Sequence, residues 1–237
     1  MVEVVKLGSL YFDGQPQEIG VPYNGKRLLF GDTVSGKEIS WARLQNGLLI
    51  AGRCVCTEIS WEQLHEEGFV FGAPITIDGE TYLCRCLRVG AKKGEPNEWD
   101  AALDEAEEDN DLWHWKKMFF WGQDLSKYNS LTRAVRGYGS ARSWSDRYAR
   151  SRHADVGFRP ALEHLGSEPC SLNALLGNKT KVYCSDGITI ESCLVDFSDY
   201  DVVLKASSPM PVDCSWAIKD GNNIIVSRGD IIWLKEG

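Results

Sequence analysis

Short apolar runs separated by close turns mark the C-terminal end of this sequence and constrain its fold more than any other feature. From Val182 to Ala206 the chain reads VYCSDGITIESCLVDFSDYDVVLKA, with an Asp-Gly turn and no helical periodicity. Similar runs follow in CSWAIKDG and NIIVSRGDIIWLKE, and a short helical segment, SLNALLG, precedes them. Several short strands joined by tight turns predict a small β-barrel.

A polar connector with Gly and Pro, HLGSEPCS at 164–171, separates this stretch from the rest of the chain. The length of 237 residues is sufficient for two domains. We therefore place a boundary at about residue 166, with one domain at 1–165 and a second at 166–237. The predicted fold class is α+β.

Two similar segments in the first domain predict helix-to-strand corners. EISWARLQNGLLIAG (38–52) and EISWEQLHEEGFVFG (58–72) each offer a Ser N-cap, a short helix opening with Trp, and then an apolar strand. After the second copy, Asp78–Gly79 lies between two alternating runs and predicts a β-hairpin.

The charges of the chain are unevenly distributed. The net charge of -8 argues against a protein that coats nucleic acid through bulk charge. Eight acidic residues lie between Glu98 and Asp111, which we interpret as a solvated face and loop. Seven Arg and only two acids follow between Arg133 and Arg159.

The Arg-rich segment contains the candidate ligand-binding residues. Guanidinium groups bind phosphate oxygens in a bidentate manner and stack on bases, and aromatic residues are interleaved with them here. The candidate set is Arg136, Tyr138, Arg142, Trp144, Arg147, Tyr148, Arg150 and Arg152. Pairing of several of these Arg with the acids at 98–111 remains open as the structural alternative.

No catalytic or cofactor motif is present in the sequence. The pairs Cys54/Cys56 and Cys84/Cys86 have CxC spacing instead of the CxxC spacing of zinc sites, which favours reduced, buried thiols. The four His residues match no metal motif, and the chain contains neither a P-loop nor a GxSxG motif. We predict no metal, no cofactor, no catalytic residues and no enzymatic activity.

The N-terminal sequence MVEVVKLGSLYFDG lacks a basic region and a long apolar run. We therefore expect neither a signal peptide nor a membrane span. The expected location is the cytoplasm.

The segment 171–236 resembles an Sm-like domain. The likeness rests on KVYCSDG, SCLVDF and SDYDVVL, followed by IIVSRGDIIWL. The resemblance implies a bent five-stranded, SH3-like barrel that assembles into a hexameric or heptameric ring. It also implies ligand or RNA contacts at Tyr200, Asp201, Arg228 and Gly229. Since the segment has nine acids and six basic residues, a barrel used only for assembly stays open.

The Arg-rich segment resembles the end of a C-type-lectin-like domain of the formylglycine-generating-enzyme type. The likeness rests on Arg136–Gly137, Ser143–Trp144, Arg147, Arg150 and Gly157–Phe158–Arg159. It implies an α+β scaffold that displays loops for binding, as in proteins of bacteriophages and prophages. Because no Cys occurs between Cys86 and Cys170, the metal-holding thiols of that enzyme are not carried over.

Together, the two resemblances imply a non-enzymatic, ring-forming binding protein of phage or prophage origin in a bacterial cytoplasm. The expected ligand is anionic: a nucleotide, a cyclic nucleotide signal or RNA. The expected use is to counteract a bacterial defence system. Two alternatives remain: an Sm-like RNA-binding ring with an adaptor domain, and a protein inhibitor of a nucleic-acid enzyme whose acids at 98–111 mimic nucleic acid.

Overall fold

The computed structural model describes residues 2–167, 170–206 and 215–237. Strands account for 48% and helices for 12% of these residues, so the fold is mostly β-sheet and compatible with an α+β or a mainly β class. The chain divides into two compact units, Met1–His164 and Leu165–Gly237. Within the described part, none of the helices has both the length and the apolar character needed to cross a membrane.

The first unit is built mainly from strands. Its described residues form these strands, in chain order: β1 (Glu3–Phe12), β2 (Gln15–Pro16), β3 (Val21–Pro22), β4 (Leu28–Gly31), β5 (Glu38–Arg43), β6 (Leu49–Ala51), β7 (Cys56–Thr57), β8 (Ala73–Ile77), β9 (Glu80–Cys86), β10 (Phe119–Leu125), β11 (Thr132–Gly137), β12 (Trp144–Tyr148), β13 (Val156–Phe158) and β14 (Pro160–Gly166). The helices between them are α1 (Trp61–Glu66), α2 (Glu98–Ala106) and α3 (Asn110–Trp113).

These strands form two sheets. One has the order β2-β1-β5-β6-β14-β9-β8, with β4 also paired to β1. The other has the order β12-β11-β10-β13-β7-β3. The pairs β10/β13 and β3/β7 are parallel. The chain passes from the second sheet to the first between β13 and β14, at Arg159.

Central strands of the first unit bury both faces. In β5, Trp41 packs into one apolar cluster and Ala42 into another. In β10, Phe120 and Trp121 divide in the same way, because successive side chains point to opposite faces of a strand. Burial on both faces explains why apolar residues are consecutive at these positions, at Trp41–Ala42 and at 119–121.

The two EISW copies fold differently, so the helix prediction is confirmed at Ser60 and wrong at Ser40. The Ser60 side chain accepts a hydrogen bond from the N–H of Gln63, and the Gln63 side chain accepts one from the Ser60 N–H. This capping box fixes the start of α1. Arg43 occupies the corresponding position in the first copy, where its guanidinium has no acceptor atom, and the segment forms strand β5 instead.

The hairpin at Asp78–Gly79 is confirmed. Strands β8 and β9 pair in register around it, and the two turn residues have φ values of 51° and 88°. Positive φ at both positions is the conformation that favours a Gly in a two-residue hairpin turn. The strand predicted at 69–72 is wrong, because this segment forms a turn that buries Phe69 and Val70.

The second unit is a single antiparallel sheet with one short helix. Its described elements are α4 (Leu172–Leu175), β15 (Lys179–Cys184), β16 (Thr189–Phe197), β17 (Asp201–Lys205), β18 (Ala217–Asp220), β19 (Asn223–Ser227), a 3-10 turn (Arg228–Asp230) and β20 (Ile231–Glu236). The order is β18-β19-β17-β16-β15-β20. The run NIIVSRGDIIWLKE, predicted as one strand, divides into β19 and β20 because the 3-10 turn interrupts it.

The capping box generates a stability prediction. We expect Ser60→Ala and Gln63→Ala each to lower the free energy of unfolding by about 1 kcal/mol, because an N–H at the helix start loses its acceptor. Urea denaturation monitored by Trp fluorescence measures the change. The matched control is Arg43→Ala, which should cost less because the Arg43–Glu3 ion pair is exposed. If Arg43→Ala lowered the free energy of unfolding as much as Ser60→Ala does, the capping box would not explain why the two EISW copies fold differently.

Candidate ligand-binding site

Arg136 is a structural residue in the core of the first unit. Its side chain is 2% exposed, its Nη2 forms an ion pair with Asp100, and its Nη1 donates to the Val89 carbonyl at 3.1 Å. Burial lowers the pKa of Arg136, and Asp100 opposes that shift. The buried guanidinium offers no accessible donor to a ligand, so Arg136 does not belong to a binding surface.

Arg142 joins the same acidic helix from the protein surface. Its Nη2 donates to Asp104 and its Nε to Glu108, both at 2.6 Å. Asp104 and Glu108 remain exposed, in agreement with the solvated face and loop interpretation of 98–111, whereas Asp100 is mostly shielded beside Arg136. Of the two alternatives left open above, pairing with these acids describes Arg136 and Arg142.

Arg150 and Arg152 also have partners within the first unit. Arg150 Nε lies 3.0 Å from a carboxylate oxygen of Glu62, in an exposed ion pair. Arg152 donates to the carbonyls of Glu58 at 2.8 Å and Tyr23 at 3.0 Å. Both side chains remain at the surface, where such contacts contribute little stability.

Two of the four remaining predicted residues, Arg147 and Tyr138, contact the Phe119 ring. Arg147 lies over the Phe119 ring at 4.5 Å, and the Tyr138 ring stacks on Phe119 at 4.8 Å. Trp144 donates from Nε1 to the Gly90 carbonyl at 2.8 Å and packs against the core, whereas Tyr148 is largely exposed. Arg147 and Tyr138 therefore share a surface at Phe119, whereas Tyr148, the next residue of β12 after Arg147, points to the opposite face of the strand.

Arg159 is the most buried cation in the described part of the chain. Its Nη1 donates to the carbonyls of Ala51 at 2.9 Å and Gly52 at 2.8 Å, and its Nη2 donates to that of Trp113. The guanidinium carbon lies over the rings of Trp99 and Phe120, at 5.1 and 4.8 Å. Burial lowers the pKa of Arg159 to about 10, so the group stays charged at neutral pH.

The contacts of Arg159 bring together two short segments that border a cleft. Arg53 follows Gly52, and His114 follows Trp113. Two adjoining cavities of about 350 and 380 Å³ share a wall formed by Ile19, Arg53 and His114. His114 has a left-handed backbone with φ 46°, at the end of α3. Both cavities lie entirely within the first unit.

The two lobes of this cleft differ in chemistry. The first, which we call the cationic lobe, is also lined by Lys116 and Asn110. The second, the apolar lobe, is also lined by Ile39, Leu112 and other apolar side chains, with Glu38 and Asp111 among its residues. Arg53 is exposed and, among the described residues, has no hydrogen-bond or ion-pair partner.

Sequence reasoning missed Arg53 and Lys116 because they lie far apart in the chain and match no motif. The one signal available was the position of Arg53 as a single charge within the apolar run LLIAGRCVC. His114, which lies between two Trp in the sequence, also lines the cleft.

The cysteines of both CxC pairs are buried, as the sequence predicted. Burial raises the pKa of Cys54 to about 11, and it raises the pKa values of Cys56, Cys84 and Cys86 above their usual range. In the parts of the chain covered by the structure, His, Cys, Asp and Glu side chains form no group of three or more that could hold a metal ion.

In the second unit, the predicted loop residues lie at the ends of neighbouring strands. Tyr200 is 80% exposed, just before Asp201 at the start of β17. Arg228 donates to the Ser198 carbonyl at 2.8 Å and, with Gly229, forms part of the 3-10 turn. The turn between β19 and β20 and the turn between β16 and β17 therefore lie together, with Tyr200 as their exposed aromatic residue.

The chain matches no protein-family model, no curated protein and no solved structure. The chemistry of the site is therefore the basis for assigning a function.

The contacts of Arg159 generate a second stability prediction. We expect Arg159→Lys to lower the free energy of unfolding by about 3 kcal/mol or more, because an ammonium cannot reach three buried carbonyls in the guanidinium geometry. The matched control, Arg150→Lys at the exposed Glu62 pair, should change it by less than about 1 kcal/mol. Chemical denaturation of both variants measures the difference. Equal losses in free energy of unfolding would contradict the structural role assigned to Arg159.

Proposed function

We propose that this protein is a non-enzymatic, ring-forming binding protein whose first unit binds a small anionic ligand in the two-lobed cleft. The observation that carries the proposal is Arg53, which lines both lobes and has no partner among the described residues. Most of the Arg-rich segment, by contrast, is paired or packed. A cation that borders a cavity and lacks a counter-ion is a natural anchor for a phosphate or carboxylate.

The surroundings of Arg53 strengthen its attraction for anions. Arg159 lies close enough for the positive charge of Arg53 to lower the pKa of Arg159 further. Arg159 is hydrogen-bonded to carbonyls, which leave its positive charge uncompensated. Lys116 adds a third positive charge at the cationic lobe. Among the described residues that line the cationic lobe none is acidic, so a bound anion would supply the negative charge there, whereas Glu38 and Asp111 line the adjoining lobe.

The fold proposed for the first unit is the C-type-lectin-like α+β fold, with the cleft bordered by strand β5 and by the loops that carry Arg53 and His114. Rigid sheets that position variable loops are a common basis for binding sites. Arg147 and Tyr138, which both contact the Phe119 ring, form a second surface on this unit. We assign ligand binding to the cleft and not to this surface, because a cleft can enclose a small ligand.

The second unit is proposed to be an Sm-like barrel that assembles the protein into a hexamer or heptamer. Its six strands alternate in direction, so the edge strands β18 and β20 run antiparallel to each other. A copy that placed its β18 beside β20 of the next copy would continue the antiparallel sheet. Repetition of such a head-to-tail contact produces a ring if the rotation closes.

Two features of these edges support the assembly proposal. Ile218 on β18 is 66% exposed, although it lies in a strand. A groove of about 290 Å³ follows β20 along residues 231–234 and is also bordered by Arg228 and Cys170. Open apolar strand edges are surfaces on which another strand pairs.

A ring with several such clefts would remove an anionic signal by binding several molecules of it at once. In a bacterial cytoplasm, this activity would serve a phage or prophage protein that counteracts a nucleotide-based defence system. This cellular role extends the binding proposal and depends on it.

The binding proposal predicts which cations contribute to ligand affinity. Calorimetric titration of the full chain with pyrophosphate and with a panel of 5′-mononucleotides should detect a ligand. We expect Arg53→Ala and Lys116→Ala to weaken its binding at least about tenfold, since each removes a charge-assisted contact. The matched control is Arg147→Ala, outside the cleft. Loss of binding at Arg147 with none at Arg53 would move the site to the Phe119 surface.

The assembly proposal predicts that β18 is an interface. Light scattering should give the mass of a hexamer or heptamer for the native chain. We expect Ile218→Asp to release monomers, because it places a charge on the exposed apolar edge. Val195→Asp is the matched control, since Val195 is similarly apolar and exposed but lies on β16, inside the sheet. A native chain that is monomeric at micromolar concentration would refute the ring.

A further inference from the structure

We infer that the anion bound in the cleft is a guanine nucleotide, with its phosphate in the cationic lobe and its base in the apolar lobe. This inference rests on the proposed binding function and identifies the ligand class. Its starting point is the polarity of the cleft, because the two lobes offer opposite hydrogen-bonding chemistry on either side of their shared wall.

The cationic lobe offers hydrogen-bond donors. Arg53 and Lys116 carry donors only, and the Asn110 side chain is held in place because its Oδ1 accepts from the Lys116 N–H at 2.9 Å. Thr57 also lines this lobe. Donors on a guanidinium, an ammonium and a hydroxyl suit a group with several acceptor oxygens, of which phosphate is the clearest example.

The apolar lobe combines flat apolar walls with carboxylate acceptors. Val4, Ile39 and Leu112 line it, and they suit the faces of a planar ring. Glu38 accepts backbone N–H bonds from Gly36 and from its own amide, which lower its pKa and keep it charged. Asp111 also lines this lobe, and within the described residues its carboxylate has no partner.

An unpaired carboxylate beside an apolar slot selects a ring with N–H donors. A carboxylate accepts two parallel N–H bonds, the geometry that it uses with arginine. Guanine presents two adjacent donors, N1–H and the 2-amino group, on one edge. Adenine has a ring nitrogen acceptor beside its amino group. The lone pair of that ring nitrogen would face the carboxylate and be repelled by it. Asp111 therefore favours guanine.

The dimensions of the cleft agree with a ligand of this size. The two lobes measure about 350 and 380 Å³ and meet at Ile19, Arg53 and His114. Their sum lies in the range of pockets that enclose a small organic ligand. Because both lobes share one wall, a single molecule with a phosphate at one end and a base at the other can occupy both.

Calorimetry on the full-length protein tests the inference with GMP, cyclic GMP, IMP, AMP, guanosine and inorganic phosphate. We expect GMP or cyclic GMP to bind roughly tenfold or more tightly than IMP, which lacks the 2-amino group, and than AMP. The comparison of GMP with cyclic GMP shows which form is the ligand. Asp111→Asn should reduce GMP binding to the level of AMP and leave phosphate binding unchanged.

Glu66→Gln is the matched control, because it makes the same change on an exposed residue of α1 away from the cleft and should leave every affinity as in the native chain. Equal binding of all mononucleotides, abolished by Arg53→Ala, would overturn the guanine inference and leave the binding function standing. Absence of binding by every probe would overturn both. Guanine preference that persists in Asp111→Asn would also overturn the role of Asp111.

Discussion

The first unit depends on the buried guanidinium of Arg159. This group lies where the chain passes from one sheet to the other, and it binds carbonyls at the end of β6 and at the end of α3. Moving a cation out of water costs several kcal/mol, and here three carbonyls and the faces of two aromatic rings offset that cost. The same hydrogen bonds place Arg53 and His114 beside each other, so the cleft is a consequence of how the sheets are joined.

The basic character of the segment between Arg133 and Arg159 is mostly structural. Arg136 and Arg142 attach the acidic helix α2 to the second sheet, and Arg159 closes the junction between the sheets. Arg53, which lines the cleft and has no partner among the described residues, lies outside that segment. In a protein of net charge -8, a few uncompensated cations at a cavity attract an anion more effectively than a larger number already neutralised by neighbouring carboxylates.

Local sequence rules succeeded where neighbouring residues complete a motif. The Asp78–Gly79 turn needs positive φ at adjacent positions, and the Ser60 cap needs Gln63 three residues later, so each could be predicted from a few letters. The copy at Ser40 shows the limit of such rules. It matches the cap and the Trp, but Arg43 replaces the acceptor, and the pairing of β5 with β1 and β6 determines the outcome.

The sequence by itself determined the strand-rich character of the C-terminal half, the hairpin, the capped helix and the burial of the CxC thiols, because propensity and short-range hydrogen bonds depend on adjacent residues. Only the tertiary structure decided which arginines are paired and which one borders a cavity. Arg136 pairs with Asp100, and Arg53 lines the same cleft as His114, although each pair is far apart in the chain. Electrostatic pairing and enclosure depend on distance in space, which the order of residues does not contain.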